Sequence, residues 1–313
     1  MKAENPQKIE DILGDTRPAQ SDSDQINYVA IIGLGVMGRG IAQAVSAAGL
    51  DILGIERNQE IAEESMEVIK QNLDHEIQRW AITKSERQSI LSRIKITEDL
   101  EQVTECDIII EAIDEDFKAK EDLLTNLDEL CSENTIIISN TSTLNLTKLA
   151  DKTNRADKII GMHFLQPVPK VPLVEIVRAL KTSDETFERV KQFAEQLNKT
   201  VVEVYEYPGF ITSRVIVPML NEAMHVLMEG IANAGDIDTA MRLGYNQPMG
   251  PLELADTIGL DELHTWMETL FHELGDLKYR PCPVLKKLVR EGKLGKKTGE
   301  GFFKYNELGQ KIS

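Results

Sequence analysis

The amino-acid sequence predicts an α/β protein in two parts, a mostly parallel sheet covered by helices followed by an all-helical domain. Short apolar runs alternate with helical patterns from Ile26 onwards, which is typical of parallel strands joined by helices. After Gly209 the strand patterns stop, and apolar residues recur only at helical spacing. We therefore expect a mobile N-terminal tail at 1–24, a sheet domain at 25–207 and a helical domain at 208–313.

The individual elements follow from where the apolar runs begin and end. In the sheet domain, strands are expected at 27–32, 51–56, 107–113, 135–139, 158–163, 172–177 and 200–204. The helices between them are expected at 36–49, 59–80, 84–92, 117–131, 144–151 and 184–198. In the second domain, Pro218 should kink or locally break the first helix. The helices expected there are 210–230, 236–243, 251–274 and 281–291.

Composition argues against several classes of function. A formal charge of −17 disfavours nucleic acid as a partner, since binding to phosphates requires a basic surface. No apolar stretch reaches the ~18 residues that span a bilayer, and the N-terminus has no hydrophobic signal core. Three scattered cysteines indicate a reducing compartment, here the cytoplasm, and no metal site. The cations at 286–297 are interpreted as a solvated helix face and basic turn, with an anion site as the alternative.

A glycine-rich motif directly follows the first expected strand. Gly33, Gly35 and Gly38 form a G-x-G-x-x-G pattern between that strand and an alanine-rich helix. In this motif the first glycine permits the turn, the second lets the backbone approach a pyrophosphate, and the third lets helix and strand pack closely. The second strand ends at Glu56, where an acid can bind ribose hydroxyls and would repel a 2′-phosphate. The sequence therefore predicts NAD rather than NADP or FAD, although Arg57 could meet a 2′-phosphate.

His163 and Glu175 are the most informative polar residues of the chain. Each lies inside a short apolar run that is typical of a buried strand, where an ionisable side chain is costly unless it is paired. The loop at 166–170 contains two prolines and is rigid enough to fold the second strand back beside the first. We therefore predict an imidazole base that a buried carboxylate orients.

A polar segment at 139–143 follows the apolar strand expected at 135–139. Small hydroxyl and amide side chains there should project at the carboxyl edge of the sheet, where ligands bind in open α/β folds. The same pattern also fits an N-cap of the next helix, with Ser142 or Thr143 as the capping residue. From these residues alone, both interpretations stay open.

Together, these motifs resemble the L-3-hydroxyacyl-CoA dehydrogenase family, which includes 3-hydroxybutyryl-CoA dehydrogenases. The similarity spans about residues 26 to 305. Besides the glycine motif, the matching segments are 139–142, 163–169, 173–175, 208–210, 236–241, 248–251 and 297–302. The resemblance implies a Rossmann-type NAD-binding domain and a helical domain that closes the acyl site and forms a homodimer.

The resemblance also implies a role for each matching residue. His163 would take the proton from the substrate 3-hydroxyl, Glu175 would fix the imidazole tautomer, and Ser142 would hydrogen-bond the substrate oxygen. The implied cofactor contacts are Gly33, Gly35, Val36, Met37, Gly38, Glu56, Glu115, Lys120, Asn140 and Gln166. The implied substrate contacts are Ser142 and Ser213 at the reacting end and Asn72 and Arg79 at the CoA moiety. An acid-rich helix start is the alternative for Glu115, and a solvated surface arginine is the alternative for Arg79.

Two positions depart from the family pattern. Ser213 stands where family members often have an asparagine, and Gln166 stands where an asparagine commonly approaches the nicotinamide. A serine hydroxyl is shorter than an amide and has one donor instead of two, and the extra methylene of glutamine moves its amide by about a bond length. Both changes bear on substrate preference or rate and leave the acid–base pair in place.

The expected activity is the reversible, NAD-dependent oxidation of (S)-3-hydroxyacyl-CoA to 3-oxoacyl-CoA, with short substrates such as 3-hydroxybutyryl-CoA. One alternative is a dehydrogenase of a free hydroxy acid, such as L-carnitine or L-gulonate, although the segments at 163–169 and 297–302 weigh against it. Another alternative is a non-catalytic NAD-binding protein. Intact Ser142, His163 and Glu175 weigh against that alternative.

Overall fold

A computed structural model describes residues 26–142, 144–307 and 309–312, so the tail predicted at 1–24 lies outside the described residues. The first part of this chain contains one eight-stranded sheet. In chain order its strands are β1 (Tyr28–Ile32), β2 (Asp51–Ile55), β3 (Ile94–Thr97), β4 (Ile108–Glu111), β5 (Ile136–Ser139), β6 (Ile159–Phe164), β7 (Leu173–Arg178) and β8 (Thr200–Tyr205).

The strand order is β3-β2-β1-β4-β5-β6-β7-β8, and only β6 and β7 run antiparallel to each other. The prediction of a mostly parallel sheet is therefore confirmed. The chain leaves β1 in one direction toward β2 and returns on the other side as β4, which opens a crevice at the carboxyl ends of these strands. β3 was not predicted, because a run of four residues is too short to identify a strand by itself. It lies at the edge of the sheet and pairs in parallel with β2 alone.

Helices cover both faces of the sheet. They are α1 (Val36–Ala47), α2 (Gln59–Gln78), α3 (Lys84–Ser92), α4 (Phe117–Leu130), α5 (Leu146–Ala150) and α6 (Asp184–Gln196). Alternate residues of each strand point to opposite faces, so Ile31 packs with Ile41 of α1 while Ile32 packs in the layer of Leu124 of α4. Among the described residues, no helix has both the length and the apolar character that crossing a bilayer requires.

The second part is helical and has its own core. Its helices are α7 (Thr212–Met228), α8 (Ala234–Gly244), α9 (Pro251–Ile258), α10 (Leu260–Leu274) and α11 (Pro283–Arg290). The single helix predicted at 251–274 is wrong, because Gly259 adopts a φ of 104° that a helix cannot contain. Of the kink or local break predicted at Pro218, the break is wrong, because α7 continues through that residue, and the kink stays a prediction.

Candidate active site

The turn between β1 and α1 is shaped by its three glycines. Gly33 has a φ of 87°, and its N–H donates to the carbonyl oxygen of Ile55 at 3.0 Å. A Cβ added at Gly38 would lie 1.9 Å from the Gly33 carbonyl oxygen, so only glycine lets α1 pack this closely on the turn. Apart from its chain neighbours, a Cβ added at Gly35 would meet no atom of the described residues within 4 Å. The backbone next to Gly35 is therefore open to a ligand.

The N-terminus of α1 fits a dinucleotide pyrophosphate. Its N-cap residue is Gly35, which provides no side-chain hydrogen bond to the first amides of the helix. Val36 and Met37 begin the helix there, and Val36 is exposed. Outward N–H groups and the positive end of the helix dipole favour a phosphate at this position.

Glu56 ties the end of β2 to the glycine turn. Its side chain is buried, and Oε1 accepts a hydrogen bond from the backbone N–H of Leu34 at 2.5 Å. The other oxygen, Oε2, accepts a hydrogen bond from the backbone N–H of Arg57 at 3.2 Å, and Arg57 itself is exposed. The carboxylate thus lies beside the nucleotide turn, as an acid that binds ribose hydroxyls requires; the ribose contact itself stays a prediction.

Three fully buried polar residues meet where β4 and β5 end. Lys120 Nζ lies 2.5 Å from Glu111 Oε1, and Ser139 Oγ donates to Glu111 Oε2 at 2.6 Å. Sequence reasoning missed Glu111. The signal that could have found it is the one that identified Glu175, an acid inside a strand that is otherwise apolar.

Glu115 reaches across to the end of β5. Its Oε1 accepts hydrogen bonds from Thr141 Oγ1 at 2.6 Å and from the N–H of Ser142 at 2.9 Å, and its Oε2 lies 3.3 Å from Lys120 Nζ. The cap of α4 is Asp116, so Glu115 does not serve as the helix cap. The carboxylate instead fixes the backbone that carries Ser142.

Ser142 does not cap a helix. The N-cap of α5 is Asn145, whose side chain accepts from the N–H of Lys148 at 2.7 Å, so of the two open interpretations the one with Ser142 as the capping residue is wrong. Thr143 lies outside the described residues. Asn140 joins neighbouring strands at the same edge, because its Oδ1 accepts from the N–H of Phe164 at 3.2 Å. Ser142 and His163 therefore follow or end adjacent parallel strands at one edge of the sheet.

The antiparallel pairing of β6 and β7 places His163 directly opposite Glu175. Nδ1 of His163 lies 2.7 Å from Oε2 of Glu175, and both side chains are buried. Within the described part of the chain, Nε2 of His163 has no hydrogen-bond partner. The ring of Phe210 packs against the imidazole with centroids 5.4 Å apart and planes tilted by 56°.

Glu175 also holds the start of the helical domain. Its Oε1 accepts from the N–H groups of Ile211 at 3.1 Å and Thr212 at 2.8 Å, and its Oε2 accepts from Thr212 Oγ1 at 2.9 Å. Burial raises the pKa of Glu175, but the hydrogen bonds from His163 and Thr212 outweigh it and leave the pKa below its ordinary value. The carboxylate is therefore ionised at neutral pH. Sequence reasoning missed Phe210 and Thr212.

The remaining predicted substrate residues, and the predicted cofactor residue Gln166, are more scattered. Ser213 is buried in the first turn of α7, next to Thr212, whereas Gln166 is exposed after β6. Asn72 and Arg79 are exposed on and just after α2, and among the described residues no hydrogen bond or ion pair joins them to the His–Glu pair. Their contact with CoA stays a prediction. Most of the cations at 286–297 pair with nearby acids, for example Lys297 with Asp261 at 2.6 Å, which favours the surface interpretation.

A nucleotide turn, a buried histidine–carboxylate pair and a following helical domain define an NAD-dependent oxidoreductase. Residues 28–207 match the family model described as 3-hydroxyacyl-CoA dehydrogenase, NAD binding domain. Residues 209–305 match the model described as 3-hydroxyacyl-CoA dehydrogenase, C-terminal domain. The chain belongs to the 3-hydroxyacyl-CoA dehydrogenase family, as its motifs predicted.

Relatives match over nearly the whole chain. The chain is 46% identical over 283 residues to a probable 3-hydroxybutyryl-CoA dehydrogenase of Bacillus subtilis (strain 168), covering 90% of this chain and 99% of the relative. It is 42% identical over 279 residues to a 3-hydroxybutyryl-CoA dehydrogenase of Clostridioides difficile, covering 89% and 99%. The crystal structure of (S)-3-hydroxybutyryl-CoA dehydrogenase from Ralstonia eutropha superposes with a TM-score of 0.84 at 42% identity, covering 90% and 100%.

Proposed function

We propose that this protein catalyses the reversible, NAD-dependent oxidation of (S)-3-hydroxyacyl-CoA to 3-oxoacyl-CoA, with short substrates such as 3-hydroxybutyryl-CoA. The observation that carries the proposal is the buried pair of His163 and Glu175 at the edge of the NAD-binding sheet. Family membership supports the thioester substrate. The names of the relatives support the short acyl chain.

His163 acts as the general base. Because Glu175 is ionised, it accepts the Nδ1 proton of the imidazole and leaves the lone pair of Nε2 available. Nε2 takes the proton of the 3-hydroxyl, and Glu175 stabilises the imidazolium that forms. NAD, when bound, supplies the nicotinamide ring that accepts the hydride from C3. In the reverse direction the imidazolium returns its proton to the substrate oxygen.

Ser142 positions the reacting oxygen. Its backbone is fixed by Glu115 at the end of β5, one strand away from His163. A hydroxyl donor at this place holds the alcohol for proton removal and polarises the ketone in the reverse reaction. Ser213, buried at the start of α7, lines the acyl side of the same site.

The cofactor residues lie along the carboxyl edge of the sheet. The amides after Gly35 bind the pyrophosphate, and Glu56 binds the adenosine ribose and disfavours NADP. Glu115, which lies 3.3 Å from the buried Lys120, would bind the nicotinamide ribose, and Lys120, Asn140 and Gln166 would be further cofactor contacts. Asn72 and Arg79 on the α2 side contact the CoA moiety.

The finer assignments rest on surface features and composition. We propose a homodimer through the helical domain, where Ile231, Leu243 and Tyr245 are exposed apolar residues. Three free, buried cysteines support a reducing compartment such as the cytoplasm. The division at 207/208 is supported by the separate hydrophobic cores on its two sides.

NADH oxidation by the purified protein with acetoacetyl-CoA tests the activity, beside NADPH and beside free dehydrocarnitine. We expect turnover with NADH and the thioester, and its loss in the His163→Ala variant. Turnover of the free acid alone would transfer the assignment to a hydroxy-acid dehydrogenase. Full activity of His163→Ala would show that the base is another group.

A further inference from the structure

The loop at 165–172, which joins the strand of His163 to the strand of Glu175, is held by one buried cation. Lys199 lies between α6 and β8 and is 6% exposed. Its Nζ donates to the carbonyl oxygens of Val168 and Val171, each at 2.6 Å. The two strands that carry the acid–base pair are therefore connected through a segment clamped by a lysine from elsewhere in the chain.

Lys199 has no carboxylate partner among the described residues. Its neighbour Glu203 pairs instead with Arg178 at 3.3 Å. Burial lowers the pKa of the Lys199 ammonium, so placing it here is unfavourable in itself. The two short hydrogen bonds to the loop offset the cost of burying the ammonium. This arrangement indicates that the loop must keep one conformation.

The clamped loop also touches the nucleotide helix. The side chain of Val168 packs on Gly40 of α1, where an added Cβ would lie 3.1 Å from Val168 Cβ. The loop thus contacts α1, which begins at the proposed pyrophosphate site, and continues directly from the strand that carries His163. Gln166, a predicted nicotinamide contact, is part of the same loop.

We propose that Lys199 is a positioning residue for hydride transfer, which fixes the loop at 165–172 and thereby the placement of the base strand relative to the nicotinamide. This inference rests on the function proposed above. Misplacement of reacting groups by about 1 Å costs on the order of 10²-fold in rate. Removal of the clamp should therefore slow the chemical step more than it weakens NADH binding.

The test compares Lys199→Met with the wild type, with Lys199→Arg, which keeps charge and donors, and with the control Lys191→Met. Lys191 lies in the same surface region on α6 and pairs with Glu188. Hydrogen–deuterium exchange of the 165–172 amides reports on the loop, in which the N–H groups of Lys170 and Val171 bond to the Pro167 carbonyl oxygen. The kinetic readouts are kcat, KM for NADH, active-site titration, and the isotope effect with NADH deuterated at the transferred position.

For Lys199→Met we expect faster loop exchange, a kcat about 10- to 100-fold lower per active site, an increased isotope effect and a nearly unchanged KM for NADH. Lys199→Arg should recover part of the rate, and Lys191→Met should match the wild type. Unchanged loop exchange, or a kcat within about twofold of the wild type, would overturn the proposal. A lower rate explained by fewer titratable sites, with an unchanged isotope effect, would assign Lys199 a purely structural role and also overturn it. Absence of wild-type turnover would instead overturn the proposed function, and with it a role in hydride transfer.

Discussion

Two carboxylates, Glu175 in the sheet and Asp256 in the helical domain, are each 1% exposed but differ in their partners. Glu175 accepts hydrogen bonds from the imidazole of His163, from the hydroxyl of Thr212 and from two backbone amides. Asp256 accepts from two backbone amides and from the hydroxyl of Tyr305. Each carboxylate thus accepts from two amides and one hydroxyl, and the fourth hydrogen bond of Glu175, from the imidazole, is what distinguishes it.

The direction of the pKa shift also separates them. Burial raises the pKa of both, but at Glu175 the histidine and Thr212 outweigh burial, and its pKa is lowered. At Asp256 burial dominates over neutral donors, and its pKa is raised. Gly295 also packs so closely that an added Cβ would lie 2.2 Å from the Asp256 carbonyl oxygen. The histidine partner of Glu175 indicates a catalytic role for this carboxylate, whereas the neutral donors around Asp256 indicate a structural role.

The largest difference should appear when each carboxylate is replaced by its amide. Glu175→Gln puts an NH₂ group against Nδ1 and leaves a proton on Nε2, so the base cannot accept the substrate proton. We expect kcat to fall by about 10³- to 10⁴-fold, which corresponds to about 4–5.5 kcal/mol. Steady-state oxidation of 3-hydroxybutyryl-CoA with NAD, the direction in which His163 accepts the proton, measures the effect. A Glu175→Gln enzyme with more than about a tenth of wild-type activity would contradict the assigned role.

Asp256→Asn should affect stability instead of rate. The amide supplies only one acceptor oxygen, so at least one of the three buried donors faces an NH₂ group. We expect the free energy of unfolding to fall by about 1–3 kcal/mol, while kcat per folded molecule stays unchanged. Urea denaturation followed by the fluorescence of Trp266, which packs on the helical core, measures the loss. If Asp256→Asn lowered kcat without lowering the free energy of unfolding, Asp256 would have a catalytic role and the proposed distinction would be wrong.

The same two variants should respond oppositely to pH. Glu175 has a lowered folded pKa, so its stabilisation is present above about pH 4.3 and is lost as the pH falls through the folded value. Asp256 has a raised folded pKa, so the cost of its ionised form is absent below about pH 3.9 and grows as the pH rises through the folded value. The destabilisation by Asp256→Asn should therefore increase on acidification, whereas that by Glu175→Gln should decrease. Denaturation midpoints across this range would show parallel curves if the assignments were wrong.

Local patterns made much of the sheet domain predictable. Apolar runs located seven of the eight strands, and ionisable residues inside two of those runs led to the pairing of His163 with Glu175. The missed features depend on tertiary contacts. β3 exists because β2 offers an unpaired edge, and the helix break at Gly259 is accompanied by a hydrogen bond from the Leu260 N–H to the distant Leu294 carbonyl oxygen.

The surroundings of the site were less predictable than its central pair. Thr212 lies 37 residues after Glu175, and its contact depends on how the helical domain docks on the sheet. Lys199 and Lys120 are both buried, but lysines are rarely buried and nothing in the surrounding sequence marks these two as exceptions. Glu111 was missed although its strand carried the required signal, an acid at the end of an isoleucine run.

The smallest contrast removes one hydroxyl donor from each carboxylate. Thr212→Val keeps the backbone N–H that donates to Glu175 Oε1 but removes the hydroxyl that shares Oε2 with the imidazole. More negative charge is then left on Oε2 to stabilise the imidazolium. In the oxidation direction, where His163 must be unprotonated, the acid limb of the pH–rate profile should therefore move to higher pH by less than about one unit. Loss of this hydrogen bond should lower the free energy of unfolding by about 1 kcal/mol.

Tyr305→Phe makes the matching deletion at Asp256, where the hydroxyl donates to Oδ2 at 2.9 Å. Because no histidine of the described chain pairs with this carboxylate, we expect a loss of about 1 kcal/mol in the free energy of unfolding and no movement of the pH–rate profile. Profiles of kcat/KM for the two variants, recorded side by side with their urea midpoints, provide the measurement. Equal shifts in both profiles would mean that the acid limb reports on global stability, and the distinction between a catalytic and a structural carboxylate would then be lost.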